Sequence, residues 1–553
     1  MSATIGINDL KFVIFGAGHD YTLADSGDGD VQIFSHPFVP LNSVNYAGQY
    51  FFLVPDEDGN PIDAVKDDIA HCTFTPALGT AFDTEGDTTV ECHYHREYIY
   101  DEETLVVDKT VSQTITVVNH GSVYSSNTYC DLYSDGYAFY RPSSVNTAGY
   151  LQLRGNGQPT KVSSIPWRVT VLGDNGNDFL NCFNVTDISE LKYADTSNVV
   201  HIQGLFRNAG DLSVEKAKEA VGEWNLSNLQ SIYQMAVYSS CFSDLSFMEK
   251  WNTPNLVSLN EAFVSMKNVT SLHGLEHLDV SNVTTLSQTF DDMSSLTDIS
   301  AISGWNVEKV TTMFNCFNNT RMSNLDALVG WKPTSLKSMR TAFRNMPNLL
   351  NVDGLITWSP HLTDITECFY LDYALVDIRG VANIDVSGVT AFDRVFAENG
   401  RLKTLDGLEG WDVSNGASFI GTFNGDKWLE DISALATWVF SSSADVHEMF
   451  FNAVSIFAFD DVTAWRFPSG ANMTHLFYAS LMRSYSTYLG IDLVSNAFYY
   501  FDYDGRQYTH AEVANEDNPL TYPTYDATGA TNWTTGTSKD SFDTPWTNIP
   551  AWN

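Results

Sequence analysis

Apolar positions recur along the chain with a fixed period between Trp224 and Trp465. An aromatic or aliphatic residue opens each copy, and successive openers are 26 or 27 residues apart. Apolar residues follow five and eight positions after the opener, and phenylalanine follows twelve positions after it, as at Phe290, Phe317 and Phe423. One copy is too short to bury these side chains alone. The period therefore predicts copies that stack and share one apolar core.

The second half of each copy adds an apolar residue at every third position. One such run is Leu296, Ile299 and Ile302. Cys316 and Cys368 each directly precede the repeat phenylalanine, so we expect a small buried slot there, because a free cysteine behaves as a small hydrophobe. The repeat Trp residues are also expected to be structural.

Several copies resemble a known repeat family. The segments LDVSNVTTLSQTF, WNVEKVTTMFNCF and WDVSNGASFIGTF are similar to the repeats of BspA-like leucine-rich-repeat proteins. The resemblance extends over roughly residues 180–481. It implies a leucine-rich-repeat solenoid, here of about eleven coils of 26–27 residues, and it brings no catalytic residues.

The regions on either side of the repeats do not share the period. Residues 1–165 contain short runs rich in β-branched and aromatic residues, such as TTVECHYHREYIY, TLVVDK and QTITVVNHGSVY, which predict antiparallel strands. A further split near residue 60 is an open alternative. Residues 166–481 are assigned to the solenoid, and 482–553 to a C-terminal cap or interaction segment. The expected fold class is mainly β with short helices.

One helix is predicted within the first, irregular copies. The segment DLSVEKAKEAVGEW has glutamate, lysine and alanine at helical density. Asp211 or Ser213 is the candidate N-cap, since both side chains accept a hydrogen bond from the first turn.

The charge of the chain restricts its partners. The 553 residues include 68 acidic and 29 basic side chains, a net charge of −39. Such a surface argues against nucleic acid and anionic membranes as partners, because both require basic residues. The negative charge either keeps the protein soluble or attracts cations such as calcium. A hydrophobic content of 43% excludes a disordered chain.

The start of the sequence lacks the basic and apolar segments of an export signal, and no stretch is long enough to span a membrane. The seven cysteines are odd in number and widely spaced, so they predict free thiols and synthesis in a cytoplasm. We therefore expect assembly into a virion in the host cytoplasm. A trimmed export signal is the alternative.

Acidic loops are candidates for calcium. Asp56, Asp58, Asn60 and Asp63 lie together in DEDGNPID, and calcium needs several oxygen ligands from one flexible loop. The same residue types also form ordinary turns, which is the simpler interpretation. Two further loops have this composition, with residues Asp25, Asp28 and Asp30, and Asp174, Asn177 and Asp178.

Three weaker patterns suggest a chemical site, but each also has a purely structural interpretation. His93 and His95 share one face of a predicted strand, as a zinc site would need, but Cys92 points to the other face. Asp353 and Asp406 occupy equivalent positions, so stacked carboxylates could act on a polysaccharide, although an aspartate before a glycine is typical of a turn. Gly16-Ala17-Gly18 is only a fragment of a phosphate-binding loop.

Aromatic residues in the polar tail have no obvious structural use. Trp533, Trp546 and Trp552 are therefore candidates for a binding surface, since an exposed indole offers large area at small entropic cost. Packing of the tail on its own repeats is the equal alternative.

The function we expect is non-enzymatic. The chain is predicted to be a structural and adhesive protein of a bacteriophage virion, attached to other virion proteins through its N-terminal region. Its repeats would bind a protein or glycan of the host surface. An exported microbial cell-surface adhesin and a polysaccharide-acting enzyme are the alternatives. No cofactor is expected apart from the candidate calcium, and the oligomeric state stays open.

Overall fold

The computed structural model describes residues 38–45, 54–55, 61–62, 71–100, 103–126, 130–140, 150–151, 159–165, 169–173, 179, 185–194, 196–441, 444–453, 455–456, 465, 472, 476, 488–492, 497–501 and 507–508. Within them the chain is mainly β, with few and short helices. It divides into two units, Met1–Leu256 and Val257–Asn553.

Short strands make up most of the first unit. They are β1 (Phe38–Pro40), β2 (Val54–Pro55), β3 (Pro61–Ile62), β4 (Cys72–Thr75), β5 (Gly86–Tyr100), β6 (Glu103–Val118), β7 (Val123–Ser126), β8 (Cys130–Tyr133), β9 (Tyr137–Tyr140), β10 (Tyr150–Leu151), β11 (Lys161–Val162), β12 (Val171–Leu172) and β13 (His201–Ile202).

The long strands β5 and β6 form an antiparallel pair. In β5, Val90 and Cys92 are buried while Glu91 and His93 are exposed, which is the expected alternation of a half-buried strand. The segments TLVVDK and QTITVV were expected to be separate strands, and that expectation is wrong. They form the single strand β6, because the residues between them include no glycine or proline to interrupt it.

Most pairing around this hairpin is antiparallel, as expected, but not all of it. The sheet order is β1-β6-β5-β4, with β1 parallel to β6. A second sheet has the order β11-β9-β8-β7, with β11 parallel to β9. A third, β10-β12-β13, is entirely parallel. Parallel pairing between successive segments thus begins within the first unit.

The predicted helix is present as α1, Val214–Val221. Ser213 is its N-cap, and its side chain accepts the backbone N–H of Lys216. Val214, Ala217, Ala220 and Val221 are buried, so one apolar face of the helix packs on the unit. The described part of the first unit also contains the short 3-10 helices Ser189–Tyr193 and Ser246–Met248.

In the second unit, equivalent residues of successive copies pair as parallel bridges. Ser258 pairs with Thr285, Thr285 with Thr312, and Thr312 with Ser338. Each step is one repeat long, so neighbouring copies lie side by side in register. Five of the runs that have an apolar residue at every third position end in a 3-10 helix. These helices are Ser300–Ile302, Asp326–Leu328, Asp353–Leu355, Arg379–Val381 and Ser433–Leu435.

The repeat phenylalanines form one stacked column in the second unit. Their ring centroids are 5.3–5.9 Å apart, and the planes of neighbouring rings differ by 16° or less. All are fully buried. The prediction that like residues stack on like is therefore confirmed for Phe263, Phe290, Phe317, Phe343, Phe369, Phe396, Phe423 and Phe450.

The backbone beside each phenylalanine takes an unusual conformation. Gln288 and Asp292, which flank Phe290, have φ values of 53° and 56°, in the left-handed region. The N–H groups of Gln288, Phe290 and Asp292 donate to carbonyl oxygens of the next copy at 2.7, 3.0 and 2.9 Å. Alternate residues thus point their N–H groups in one direction. These bonds offset the cost of the left-handed conformations.

Each buried Trp of the second unit bonds to a backbone oxygen about one repeat length earlier in the chain. The indole Nε1 of Trp331 donates to the backbone oxygen of Ile302 at 2.9 Å. The acceptor ends a run of apolar residues at every third position, one repeat before the run that directly precedes the Trp. The same bond is made by Trp305, Trp358, Trp411, Trp438 and Trp465.

The described part of the C-terminal segment is antiparallel. Strands β14 (Tyr488–Asp492), β15 (Ala497–Phe501) and β16 (Gln507–Tyr508) form one sheet in that order. They lie in the segment expected to contain strands and long loops.

Candidate functional site

Several predicted site residues lie outside the described residues. These are the calcium candidates Asp56, Asp58, Asn60 and Asp63, the other two acidic loops, the Gly16-Ala17-Gly18 fragment, and the tail residues Trp533, Trp546 and Trp552. Their roles stay predictions.

The histidines of β5 face solvent, as the alternation requires. His93 and His95 are exposed with rings 6.4 Å apart, and His93 Nδ1 lies 3.0 Å from Thr110 Oγ1 across the hairpin. Cys92 is buried on the opposite face. Over the part of the chain that the structure describes, no three histidine, cysteine or acidic side chains are placed to hold a metal ion.

Asp353 and Asp406 are separated by a whole copy. Arg379 occupies the intervening copy, where its guanidinium pairs with Asp377. The hydrogen bond and charge of Asp377, and then the charges of Asp353 and Asp406, raise the pKa of Arg379. Two aspartates about 10 Å apart along the stack, with a cation between them, do not resemble the closely paired carboxylates of glycosidases.

A polar cluster in the first unit is closed to ligands. The Tyr137 hydroxyl donates to Glu190 Oε2 at 2.8 Å, and Lys161 Nζ lies 3.1 Å from Glu190 Oε1. Burial raises the pKa of Tyr137 well above its usual range, and the Glu190 carboxylate adds to this. The His120 ring stacks on Tyr137 at 3.8 Å and bonds Asp135. Both Glu190 oxygens are occupied, so the cluster stabilises the fold.

One corner of three consecutive copies in the second unit carries exposed aromatic, apolar and basic side chains together. Each corner is a β-turn, closed by the bonds Leu375 N–H to Asp372, Leu402 N–H to Asn399, and Leu429 N–H to Asp426. We name the side chains at and beside these turns the corner patch. It consists of Tyr373, Val376, Arg401, Lys403, Lys427 and Trp428.

The corner patch exposes large aromatic side chains. Trp428 is 55% exposed and Tyr373 is 49% exposed, although the chain's repeat Trp residues are buried. Lys403 Nζ lies 5.7 Å from the centroid of the Trp428 ring, which brings the cation of one copy over the aromatic ring of the next. Gly400 lies on the middle turn, between the turns that carry Tyr373 and Trp428. A Cβ added at Gly400 would meet no atom within 4 Å.

The patch also carries exposed cations. Arg401 and Lys427 are exposed, and neither has an ion-pair partner within the described ranges. Lys403 is 3.7 Å from Glu430, and both side chains are about half exposed. Glu398 is another nearby carboxylate, and after burial its charge helps to raise the pKa of Tyr373. Unpaired cations are notable in a chain with a charge of −39.

A column of buried polar residues lies directly beneath the patch. Asp372, Asn399 and Asp426 begin the three turns and are fully buried, where equivalent turns begin with Met266, Met293 or Met346. Each side-chain Oδ1 accepts a backbone N–H of the preceding copy, at 2.7, 2.9 and 2.7 Å. The column thereby fixes each turn relative to its neighbour.

The second polar atoms of this column are unpaired. Asp372 Oδ2, Asn399 Nδ2 and Asp426 Oδ2 are buried without a hydrogen-bond partner. Burial raises the pKa of both aspartates well above the usual value of 3.8. Burial therefore favours the neutral carboxylic acid over the carboxylate at both positions.

The exposed aromatic residues were predicted in the C-terminal tail, and the corner patch was not predicted from the sequence. A signal was present in the repeat itself. Trp428 is out of step with the Trp residues that open the copies, and its equivalents are Asn348, Ala374 and Arg401. Because the equivalent residues of the neighbouring copies are not aromatic, a tryptophan at this turn position cannot stack on them in a buried column.

Stacked copies joined by backbone hydrogen bonds define the molecule as a repeat protein. Family matches cover residues 177–268, 212–298, 257–373 and 363–487, which together exceed half of the chain. The chain belongs to the family described as Mycoplasma protein of unknown function, DUF285. That family is related to BspA-like repeats.

None of the curated proteins compared with the chain matches it. Among the described residues, no helix is both long and apolar enough to cross a lipid bilayer.

Proposed function

We propose that the chain is a non-enzymatic adhesive and structural protein of a bacteriophage virion. Its repeats would form a BspA-like solenoid of about eleven coils that presents one or more exposed faces to a host surface. The N-terminal β region would attach the chain to other virion proteins.

The observation that carries the binding role is the contrast between interior and corner positions. Equivalent interior positions hold the same residue, as with Phe343, Phe369, Phe396 and Phe423. The turn position five residues later holds Asn348, Ala374, Arg401 and Trp428 in the same four copies. A constant frame with variable corners is the architecture that repeat proteins use for binding surfaces.

The virion setting rests on other features. Cys316 and Cys368 are fully buried as free thiols, and burial raises the pKa of both. Such thiols suit a chain that folds in a reducing cytoplasm. The acidic charge favours protein and glycan partners over nucleic acid.

One observation favours a second function, an exported cell-surface adhesin of the same family. The family description names a Mycoplasma protein, which is a protein of a cell. The binding surface would be the same in both cases, and only the carrier would differ.

Quantitative mass spectrometry of a culture that makes the chain tests the carrier. Released particles, cell envelopes and cytosol are separated, and peptides from residues 257–441 are counted in each. We expect enrichment with purified particles, at a constant ratio to their major structural protein. Enrichment in the envelope supports the adhesin instead. A chain found only in the cytosol contradicts surface display altogether.

A further inference from the structure

We propose that the corner patch is a binding site for an acidic polysaccharide, a glycan chain bearing carboxylate or other anionic groups. The inference rests on the proposed binding function and names the ligand class and the residues that would recognise it. The patch is Tyr373, Val376, Arg401, Lys403, Lys427 and Trp428.

The aromatic rings give the first part of the argument. Tyr373 and Trp428 are two copies apart, and turns stacked at strand spacing put them about 10 Å from each other. The open space over Gly400 lies between them. A linear glycan lying along the stack would place sugar rings on both aromatic faces, with the linkage over the glycine. Exposed rings of this kind bind the apolar faces of sugars at small entropic cost.

The cations give the second part. Arg401 lies on the turn between the two that carry the rings, and Lys427 directly precedes Trp428 on its turn. The Lys403 ammonium lies over the Trp428 ring. Lys403 lies 3.7 Å from Glu430, whereas Arg401 and Lys427 have no ion-pair partner within the described ranges. The charges of these two side chains are therefore available to an anionic ligand. Arg401 can hold a carboxylate with two parallel hydrogen bonds, while a lysine supplies a point charge. An anionic sugar matches this combination better than a neutral one.

The buried column gives the third part. Asp372, Asn399 and Asp426 replace the usual methionine in the same three copies that carry the patch. Their side-chain bonds to the preceding copy hold the three turns in a fixed relation. A preorganised surface loses less entropy when a ligand binds. Polar core residues and exposed aromatic residues thus coincide in one place.

The size of the patch argues against a folded protein as the occupant. A stable protein–protein interface takes roughly 20–30 residues on each side. Six side chains along a row suit an extended chain of a few sugar units better.

Binding of the full-length chain to immobilised polysaccharides tests the inference. The probes are polygalacturonate, polysialic acid and neutral dextran, measured by biolayer interferometry at about 0.05 M and about 0.5 M NaCl. We expect binding to at least one acidic polymer, no binding to dextran, and loss of binding at the higher salt. Equal binding to dextran, or binding insensitive to salt, overturns the proposal.

Variants locate the site. Trp428→Ala, Tyr373→Ala and the double variant R401Q/K403Q should each weaken binding about tenfold, as loss of a central contact does. Lys332→Gln and Val329→Ala remove an exposed cation and an exposed apolar side chain elsewhere in the same unit, and should change binding by less than about twofold. Circular dichroism confirms the fold of each variant. Unchanged affinity in all three patch variants overturns the site.

Binding to intact target cells is measured in parallel. Cells bound without any acidic polymer being bound would remove this inference and leave the proposed adhesive function. Failure to bind cells as well would remove both.

Discussion

Single residues in the repeats perform tasks that their residue type explains. Phenylalanine supplies a flat ring that stacks on its equivalents, and tryptophan adds a hydrogen-bond donor for a buried carbonyl, as Trp331 does for Ile302. The burial of both could be predicted from periodicity. The indole bond could not, because its acceptor lies about one repeat length earlier in the chain and sequence spacing does not give the direction of stacking.

Asp372 and Asp426 make the stability of the repeats depend on pH. Burial raises their pKa above the usual value of 3.8, so the folded state retains protons that the unfolded chain releases. Their contribution is most favourable below pH 3.8. It declines as the pH rises from there towards the raised folded pKa.

The double variant D372N/D426N should remove this dependence. An amide already occupies the equivalent position at Asn399, where its oxygen accepts the same kind of backbone bond. We expect a gain of roughly 2 kcal/mol in unfolding free energy at pH 7, because burial opposes ionisation of the two carboxyl groups and an amide does not ionise. Urea unfolding at pH 4 and pH 7 measures it, and the gain should shrink at the lower pH.

The exposed Asp406→Asn provides the control for this experiment. It removes a carboxylate from the same unit without touching the buried column, and should leave the unfolding curves nearly unchanged. A double variant less stable than the native chain at pH 7 would contradict the conclusion that burial of the two carboxyl groups destabilises the fold at that pH.

At the scale of the element, the single copy is the unit of construction. At and beside its phenylalanine, each copy donates N–H groups to the next, as Gln288, Phe290 and Asp292 do, so the copies are joined by directional bonds as well as by side chains. The left-handed residues that make this possible are glycines only beside Phe423. Neither propensity nor hydrophobic pattern predicts them, since they are stabilised by neighbours one repeat away.

The close approach of neighbouring copies requires glycine at particular places. A Cβ at Gly380 would lie 1.9 Å from the backbone oxygen of Val352, and one at Gly354 would lie 1.8 Å from that of Leu325. The equivalent residue is alanine at Ala327 and Ala434, so the requirement is local to these copies.

Gly380→Ala should therefore destabilise the second unit by roughly 2 kcal/mol or more, since the backbone must move to admit the methyl group. The shift of the urea unfolding midpoint, followed by tryptophan fluorescence, measures the loss. Gly304→Ala is the matched control, because nothing lies within 4 Å of a Cβ at that position. Equal midpoints for both variants would show that the copies are less tightly joined than the structure indicates.

At the scale of the whole molecule, the sequence predicted some features and missed others for physical reasons. The repeat period predicted the stacked core, because burial imposes the same residue on every copy. The N-terminal strands were predicted by alternation, but the parallel pairing of β1 with β6 was not, since partner choice depends on distant segments. The corner patch was missed because each of its residues belongs to a different copy.

In the proposed function the N-terminal β region attaches the chain to other virion proteins, and the repeats recognise the host surface. The acidic composition keeps most of the surface repulsive to anions. A small basic and aromatic area on such a chain is therefore a specific feature of three copies, and it should account for most of the binding.

The measurement that tests this account most directly is attachment of the native carrier, whether particle or cell, in the presence of antibody fragments. Fab fragments against the corner patch around Trp428 should block attachment to the target surface. Fab fragments against the exposed region around Lys309 should bind equally well and leave attachment intact. If the Trp428 fragments bind the carrier fully and attachment is unaffected, the corner patch is not the adhesive surface and the central claim is wrong.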